Sequence, residues 1–371
     1  MSEADSIIII LEEYMARHKK NKSVYRKICI SMISVIGLFI LIAGFYVGFL
    51  HHKAMSAVHK IAASDYYAPQ RDETENAVPE VGDVTEDDMK PMTFLLAGTD
   101  NREGSGGTMN TDVIMIVTLN PKTKSATLLS IPRDLKMTPD GQSSHKANYF
   151  YAHNYIKDKT TAMAETKQFF SDTFHIPIDY MILINFDGFR QAIDAVGGLD
   201  IDVAMDMRYK DTADGTNINL TKGFQHLDGQ NTLDYVRYRK SNDGTAASSD
   251  FERNKRQQEV LNQMLDKLTS LNGISQWGNI LDIVGDNVKT DIPEKKLTRW
   301  LLNFKKMKPD HTNLLTVDGD WKSPFVYLNK DDLTKAMESL YSNIELEQKI
   351  KTNFWDHLGL YTNTNSKSNS K

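Results

Sequence analysis

The chain of 371 residues contains a single cysteine, Cys29, so it cannot form an internal disulfide. It also lacks an excess of positive charge, because 44 lysine and arginine residues stand against 49 aspartate and glutamate residues, a formal net charge of -5. Domains that bind nucleic acid usually carry a positive excess. The composition therefore argues against a general nucleic-acid binder, and any folded domain must be held together by its hydrophobic core.

Charged residues are absent from residues 28–50, an apolar run long enough to cross a bilayer. Basic residues are denser before this run than after it, so residues 1–27 are expected in the cytoplasm and the rest of the chain outside. The run is too long for the apolar part of a signal peptide, and no A-x-A-like cleavage site directly follows it. The sequence therefore predicts a single-pass protein of the cell membrane with an uncleaved transmembrane helix at 28–50.

The part beyond the predicted membrane helix divides into three segments. Residues 51–91 begin amphipathic and end acidic, with Pro69 and Pro79 as helix breakers, which is typical of a stalk or linker. Residues 92–350 contain the apolar segments of one globular domain. Residues 351–371 form a C-terminal tail whose polar, low-complexity end we expect to be disordered.

The globular domain has the pattern of an α/β fold. Short apolar runs bounded by turn residues predict strands at 92–98, 112–120, 125–131, 176–186 and 199–203. A helix that ends at Gly197 and Gly198 separates the last two strands, and the three elements are expected to form a right-handed βαβ unit. Further helices at 277–304 would complete the fold, with Trp277 and Trp300 in the core.

One charged residue lies at an end of each of the first three predicted strands: after the first, at the start of the second and after the third. If successive strands run in alternate directions, Asp100, Asp112 and Arg133 lie at the same edge of the sheet. Open α/β sheets bind their ligands along such an edge. The sequence therefore predicts a site with two carboxylates and one guanidinium.

A second group of basic residues lies close together in the chain and comprises Arg237, Arg239, Arg253 and Arg256. The stretch DYVRYR (234–239) has the composition of a strand, which would direct Arg237 and Arg239 to one face. The stretch SDFE (249–252) resembles a capping box that opens a helix, on which Arg253 and Gln257 are neighbours. One such arginine alone is commonly solvated or paired with a carboxylate. Several that converge need a counter-anion, and their planar forks suit phosphate, so the group predicts a phosphate or pyrophosphate site.

A series of motifs over about residues 94–265 resembles those of the LytR-CpsA-Psr family: FLLAGTD, TDVIMIVTLNP, LLSIPRD, KANYFY, IPIDYMILINFDGF, AVGGLDIDV, HLDGQNTLDYVRYRK and DFERNKRQQ. The resemblance implies an α-β-α sandwich around a mixed central sheet, preceded by one membrane helix. It implies an extracytoplasmic phosphotransferase of Gram-positive bacteria. Such enzymes move a glycopolymer, of the teichoic acid or capsular polysaccharide type, from a polyprenyl-pyrophosphate carrier to a sugar hydroxyl of peptidoglycan.

The resemblance also assigns roles to individual residues. Asp100 and Asp112 match the positions that contact Mg2+, which Mn2+ could replace, and one of them is expected to orient or deprotonate the acceptor hydroxyl; the sequence does not choose between them. The positions that match pyrophosphate contacts are Arg133, Lys146, Arg237, Arg239, Arg253 and Gln257. Arg133 is also counted with the two aspartates as catalytic. Asn110 is a departure, since many members carry an arginine there.

Two other functions stay open on the sequence alone. The same site with water as acceptor would make the chain a lipid-pyrophosphate hydrolase. A non-catalytic envelope protein, which binds wall polymers or regulates, would not need aspartates beside the arginines. Direct DNA binding conflicts with the predicted topology, because the basic residues lie beyond the membrane helix. Asp134, next to Arg133, is expected to be structural or to orient that arginine.

Overall fold

The structure is a computed structural model of the chain. It describes residues 44, 46–62, 82–99, 109, 111–210, 216–238, 241–242, 271–348 and 355–362, together with several positions between 252 and 267. The chain divides into two units, residues 1–53 and 54–371. The described residues of the first unit are helical. The predicted transmembrane segment lies mostly outside the described residues, and within the described part no helix is both long and apolar enough to cross a membrane.

The second unit contains both strands and helices. Its described strands are β1 (Met92–Thr99), β2 (Thr111–Asn120), β3 (Ser125–Ser130), β4 (Lys136–Met137), β5 (His145–Lys146), β6 (Tyr180–Asn185), β7 (Leu199–Val203), β8 (Met207–Lys210), β9 (Asn217–Leu220), β10 (Gly223–Leu227), β11 (Val288–Thr290), β12 (His311–Leu315), β13 (Gly319–Lys322), β14 (Phe325–Asn329) and β15 (Leu360–Tyr361). Its described helices are α1 (54–62), α2 (Tyr149–Lys157), α3 (Ala162–Phe174), α4 (Phe186–Ala195), α5 (Gly229–Arg237), α6 (the helical positions between 252 and 267), α7 (Leu271–Asn287), α8 (Glu294–Leu302), α9 (Phe304–Met307) and α10 (Lys330–Asn343).

The main sheet has the strand order β11-β6-β1-β2-β3-β12. Strand β2 pairs antiparallel with β1 and with β3, whereas β6 runs parallel to β1 and β12 parallel to β3. The first three strands thus alternate in direction, as their order in the sequence predicts. The prediction of an α/β protein with a mixed central sheet is confirmed.

Apolar side chains from the main sheet pack against helices on both of its faces. Leu95 and Ile116 join a cluster that includes residues of α2, α3 and α10. Phe94, whose side chain points the opposite way along β1, belongs to another cluster with Trp300 of α8. The burial of Trp300 agrees with its prediction as a core aromatic residue. The same prediction for Trp277 is wrong, because that side chain on α7 is 42% exposed.

The predicted βαβ unit is wrong in its last strand. Strand β6 and helix α4 lie where expected, and α4 ends before Gly197 and Gly198, which have φ angles of 78° and 71°. Strand β7, however, pairs antiparallel with β10 in a separate two-stranded sheet. Its alternating pattern explains why, since Asp200 and Asp202 are exposed between buried apolar residues. A strand with one polar face does not suit a sheet that is covered on both sides.

The predicted strand at 234–239 is also wrong, because this stretch belongs to helix α5, which ends at Arg237. Asp228 begins the helix: its carboxylate accepts a hydrogen bond from the backbone N–H of Asn231 at 2.8 Å. Arg237 therefore lies in the last turn, where the helix dipole favours a positive charge. The flanking tyrosines, Tyr235 and Tyr238, are buried in a cluster with β7, β8, β9 and α6.

Parts of the segment predicted as a linker pack on the domain. Ala57, Val58 and Ile61 of α1 are buried, and Lys60 pairs with Asp286 of α7 at 2.8 Å. Residues 82–90 contribute Val84 and Met89 to the cluster around Trp300. The domain boundaries inferred from composition stay predictions.

Candidate active site

The candidate site is built around the carboxylate of Asp112 at the start of β2. Arg133, which follows β3, donates from Nη1 to Oδ1 of Asp112 at 2.9 Å. Arg237, at the end of α5, donates from Nη2 to Oδ2 of the same carboxylate at 3.5 Å. The antiparallel pairing of β2 and β3 brings the first two residues to one sheet edge. Each oxygen of Asp112 thus faces a guanidinium group from a different part of the chain.

Arg237 is also held by an aromatic ring. Its guanidinium carbon lies 5.4 Å from the ring centroid of Phe186, the first residue of α4. A Cβ atom at position 98 would lie only 2.9 Å from that ring, so Gly98 at the end of β1 leaves the space that Phe186 occupies. A cation above an aromatic face is stabilised by the electron density of the ring. Phe186 was not among the predicted site residues, because its side chain has no polar group that would single it out in the motif INFDGF.

A second carboxylate, Asp134, connects two further cations. Lys146 on β5 approaches Oδ1 of Asp134 to 2.8 Å, and Nε of Arg133 lies 3.6 Å from Oδ2. The backbone supports this arrangement, since the N–H of Asn148 donates to the carbonyl of Arg133 at 3.0 Å. Asp134 therefore orients Arg133 and Lys146, one of the two roles expected for it from the sequence.

Several predicted site residues lie outside the described residues: Asp100, Arg239, Arg253 and Gln257, as well as Asn110. Their places in the site stay predictions. The structure brings together Asp112, Arg133 and Arg237, and it connects Lys146 to them through Asp134. Asp112, Arg133 and Lys146 lie in one stretch of the chain, whereas Arg237 comes from a later segment that the fold brings to the same edge of the main sheet.

Arg256, which the sequence groups with the other arginines, has a structural position. It is 5% exposed, and its Nε donates to the carbonyl of Tyr235 at 2.8 Å, while an Nη donates to the carbonyl of Tyr238 at 2.5 Å. The Tyr235 carbonyl belongs to the last turn of α5, where helical partners are missing. Burial lowers the pKa of Arg256. This residue therefore anchors α6 to the end of α5 on both sides of Arg237.

Burial also affects the carboxylate one turn before Arg237. It raises the pKa of Asp234, although a hydrogen bond from Gln230 and the charge of Arg237 act in the opposite direction. Gln230 donates to Asp234 at 3.0 Å and accepts from Arg190 at 2.7 Å. This polar group fixes the buried side of α5 and thereby the helix end that carries Arg237.

The described part of the site carries an excess of positive charge. Arg133, Arg237 and Lys146 face the carboxylates of Asp112 and Asp134. A guanidinium group has five N–H donors in one plane, and phosphate oxygens match this planar geometry. The arrangement is therefore suited to an anion with several oxygens, such as a pyrophosphate.

Asp112 also fits the donor chemistry of a divalent cation. Magnesium is bound through one or two carboxylates completed by phosphate oxygens of the substrate. Of the two predicted ligands, Asp112 lies among the described residues and has a 16% exposed side chain, so a cation at the sheet edge can reach it. Within the described part of the chain, no group of three or more His, Cys, Asp or Glu side chains could hold a metal by itself.

Comparisons with known proteins agree with the motifs. The sequence model of the LytR_cpsA_psr family matches residues 52–353. The chain is 28% identical over 340 residues to the polyisoprenyl-teichoic acid–peptidoglycan teichoic acid transferase TagU of Bacillus licheniformis, a match that covers 91% of this chain and 100% of that relative. It is 34% identical over 271 residues to the transferase TagV of Bacillus subtilis, which covers 72% of this chain and 65% of the relative.

A solved structure shares the fold. The crystal structure of a Streptococcus agalactiae protein matches with a TM-score of 0.56 at 25% sequence identity. The match covers 71% of this chain and 91% of that protein. The shared region is thus nearly the whole of the solved protein.

Proposed function

The chain belongs to the LytR-CpsA-Psr family, and we propose that it is a phosphotransferase. It moves a glycopolymer of the teichoic acid or capsular polysaccharide type from a polyprenyl-pyrophosphate carrier to a sugar hydroxyl of peptidoglycan. The relatives TagU and TagV support this proposal, because they are named as transferases of teichoic acid from a polyisoprenyl-linked form to peptidoglycan. The observation that carries it is the Asp112 carboxylate between the guanidinium groups of Arg133 and Arg237.

In the proposed reaction the acceptor hydroxyl oxygen attacks the phosphorus atom that carries the glycopolymer. A new P–O bond forms to peptidoglycan, and the bond to the bridging oxygen breaks, so that polyprenyl monophosphate leaves. The hydroxyl proton passes to a carboxylate, Asp112 or Asp100. Phosphoryl transfer depends mainly on positioning and on neutralising negative charge, so fixed cations are the main requirement.

The two arginines meet that requirement when the substrate replaces Asp112 as their partner. Arg133 and Arg237 approach from β3 and from α5, so they can bind oxygens on two sides of a pyrophosphate. Phe186 and Asp134 keep the two guanidinium groups in place while the partner changes. Lys146, Arg239, Arg253 and Gln257 are proposed as further pyrophosphate contacts.

Asp112 and Asp100 are the proposed ligands of Mg2+ or Mn2+. Such a cation, when bound, neutralises charge on the pyrophosphate oxygens. We further propose that the domain lies outside the cell membrane, anchored by the apolar run at 28–50 with the N-terminus in the cytoplasm.

The proposal is tested by incubating the full chain with a lipid-pyrophosphate-linked glycan labelled in the sugar, magnesium and peptidoglycan. We expect label that stays with the wall after washing in hot detergent. Arg133→Ala should abolish it, whereas Arg208→Ala, which removes an exposed arginine of β8, should not. Label released only as free phosphorylated sugar would show that the chain hydrolyses the lipid pyrophosphate and does not transfer the glycan. Binding without any movement of label would leave a non-catalytic polymer-binding protein.

A further inference from the structure

An exposed tryptophan lies next to the cations of the candidate site. Trp321 is on β13, opposite Val326 of β14 in the hairpin register. The N–H of Val326 donates to the backbone carbonyl of Asp134 at 2.8 Å, and Val326 forms a parallel bridge with Leu135. The hairpin is therefore fixed to the chain segment that carries Arg133.

A side-chain contact places Trp321 near the site independently of the backbone pairing. The ammonium group of Lys146 lies 5.5 Å from the centroid of the Trp321 ring. The same group is 2.8 Å from Asp134, which in turn contacts Arg133. The indole ring thus lies against Lys146, itself a proposed pyrophosphate contact, and the side chains of Lys146 and Asp134 connect it to Arg133.

Water reaches the indole ring, because Trp321 is 52% exposed and all residues of β13 are exposed. An aromatic ring that remains half in water contributes less to the core than a buried one, and tryptophan is enriched at binding interfaces. A pyranose ring offers an apolar C–H face with hydroxyls around its rim. The indole ring matches that face, and the ammonium group of Lys146 supplies donors for the rim.

We propose that Trp321 forms a sugar-binding subsite, in which its indole ring stacks on a pyranose ring of the substrate adjacent to the reacting pyrophosphate. The inference rests on the proposed function, which makes the substrate a glycan. The sugar can come from the lipid-linked donor or from the peptidoglycan acceptor, and both offer the same stacking face. The chain of contacts from Lys146 to Arg133 places this sugar next to the phosphorus that reacts.

A tryptophan beside lysines is also typical of contacts with a lipid surface. One observation favours the sugar. Lys146, the cation nearest to the ring, is paired with Asp134 of the site.

The subsite is tested by binding, with the full chain and three ligands. These are a lipid pyrophosphate that carries the glycan, the same lipid pyrophosphate without sugar, and a soluble glycan fragment of peptidoglycan. Trp321→Ala should weaken binding of a sugar-bearing ligand about tenfold and leave the sugar-free lipid unchanged. Trp321→Phe, which keeps an aromatic face, should retain most of the affinity. Trp277→Ala removes an exposed tryptophan of α7 and should leave the affinity for every ligand unchanged. Thermal melting checks that each variant is folded.

The ligand that loses affinity identifies the source of the sugar, donor or acceptor. Equal losses for the sugar-bearing and the sugar-free lipid, or a matching loss of binding to phosphatidylglycerol vesicles, would make Trp321 a lipid contact and overturn the inference. Unchanged affinity for all three ligands would overturn it as well. A wild-type chain that binds the glycan-bearing lipid but transfers nothing would contradict the proposed function, while the effect of Trp321→Ala would still test the subsite.

Discussion

Arg133 and Asp112 form an ion pair at 2.9 Å, so a carboxylate of the protein itself binds the guanidinium group that we assign to the substrate. The side chain of Arg133 is 43% exposed, and ion pairs that water reaches in this way contribute about 1 kcal/mol or less. A pyrophosphate, with more negative charge and more oxygens than a carboxylate, can therefore displace Asp112 from the arginine. The displaced carboxylate becomes available for a cation or for the proton of the acceptor.

Replacing Asp112 by Asn should separate binding from transfer. We expect the rate of glycopolymer transfer to fall about 100-fold or more, because a proton acceptor or metal ligand is lost. Affinity for inorganic pyrophosphate in metal-free buffer should rise, because the charge that competes for Arg133 and Arg237 is removed. Incorporation of label into peptidoglycan measures the first effect, and isothermal titration calorimetry measures the second.

The control for this variant is Asp200→Asn, which changes an exposed carboxylate on β7. It should alter neither quantity. Unimpaired transfer by Asp112→Asn would remove this residue from the mechanism, and weaker binding of metal-free pyrophosphate would contradict the competition with the two arginines.

Replacing Phe186 by Leu should impair the position of Arg237. The leucine keeps an apolar side chain of similar volume, so the loss of stability should stay below about 1.5 kcal/mol. The ring beneath the guanidinium disappears, and KM for the lipid-linked donor should rise about three- to tenfold. Phe224→Leu, at an exposed position of β10, is the matched control and should leave the KM for the donor unchanged. A double-mutant cycle decides the cause: the losses from Phe186→Leu and Arg237→Ala should not add, and full additivity would show that Phe186 acts independently of Arg237.

Much of the main sheet could be predicted from the sequence. The runs that became β1, β2 and β3 are rich in apolar and β-branched residues and end at clear turn residues, so their type and direction follow from local pattern. The partner of β7 could not be predicted in this way, because strand pairing depends on distant segments. The alternation of apolar and acidic residues in LDIDV was nevertheless a signal that one face meets water.

The part of the site that could be predicted consists of charged residues at the ends of strands. Asp112 and Arg133 meet because adjacent antiparallel strands must bring these ends together. The helix that carries Arg237 was predicted as a strand, although Asp228 is of a residue type that commonly caps the start of a helix. Phe186 and Trp321 could not be found from sequence, since their roles arise only from contacts across the fold.

Replacing Arg256 by Lys should destabilise the domain. The lysine ammonium cannot reach the carbonyls of Tyr235 and Tyr238 with the geometry of a guanidinium, so a buried charge loses partners. We expect the free energy of unfolding to fall by about 3 kcal/mol. Denaturant unfolding of the full chain measures this change. Arg208→Lys, at an exposed position of β8, is the control. Equal stability of the two variants would show that the two hydrogen bonds do not hold α5 and α6 together.

Asp88 should make the free energy of unfolding of the domain depend on pH in the acid range. This carboxylate is fully buried and accepts hydrogen bonds from Arg299 at 2.9 Å, from Trp300 at 2.9 Å and from Thr85. Burial alone would raise the pKa of Asp88, but these donors outweigh burial and hold the pKa well below its usual range. The folded state thus prefers the ionised form more strongly than the unfolded state does. The resulting stability is present above the unfolded pKa, about 3.9, and is lost as the pH falls toward the folded value.

Asp88→Asn should remove this contribution at neutral pH, at a cost of about 3 kcal/mol, because the guanidinium of Arg299 loses its charged partner. Between about pH 5 and pH 2 the unfolding free energy of the variant should then change less than that of the wild type. Denaturant unfolding at several pH values measures both slopes, with the exposed Asp310→Asn as control. Parallel slopes for Asp88→Asn and the wild type would mean that Asp88 binds its proton equally in both states. The hydrogen bonds from Arg299 and Trp300 would then not favour the carboxylate.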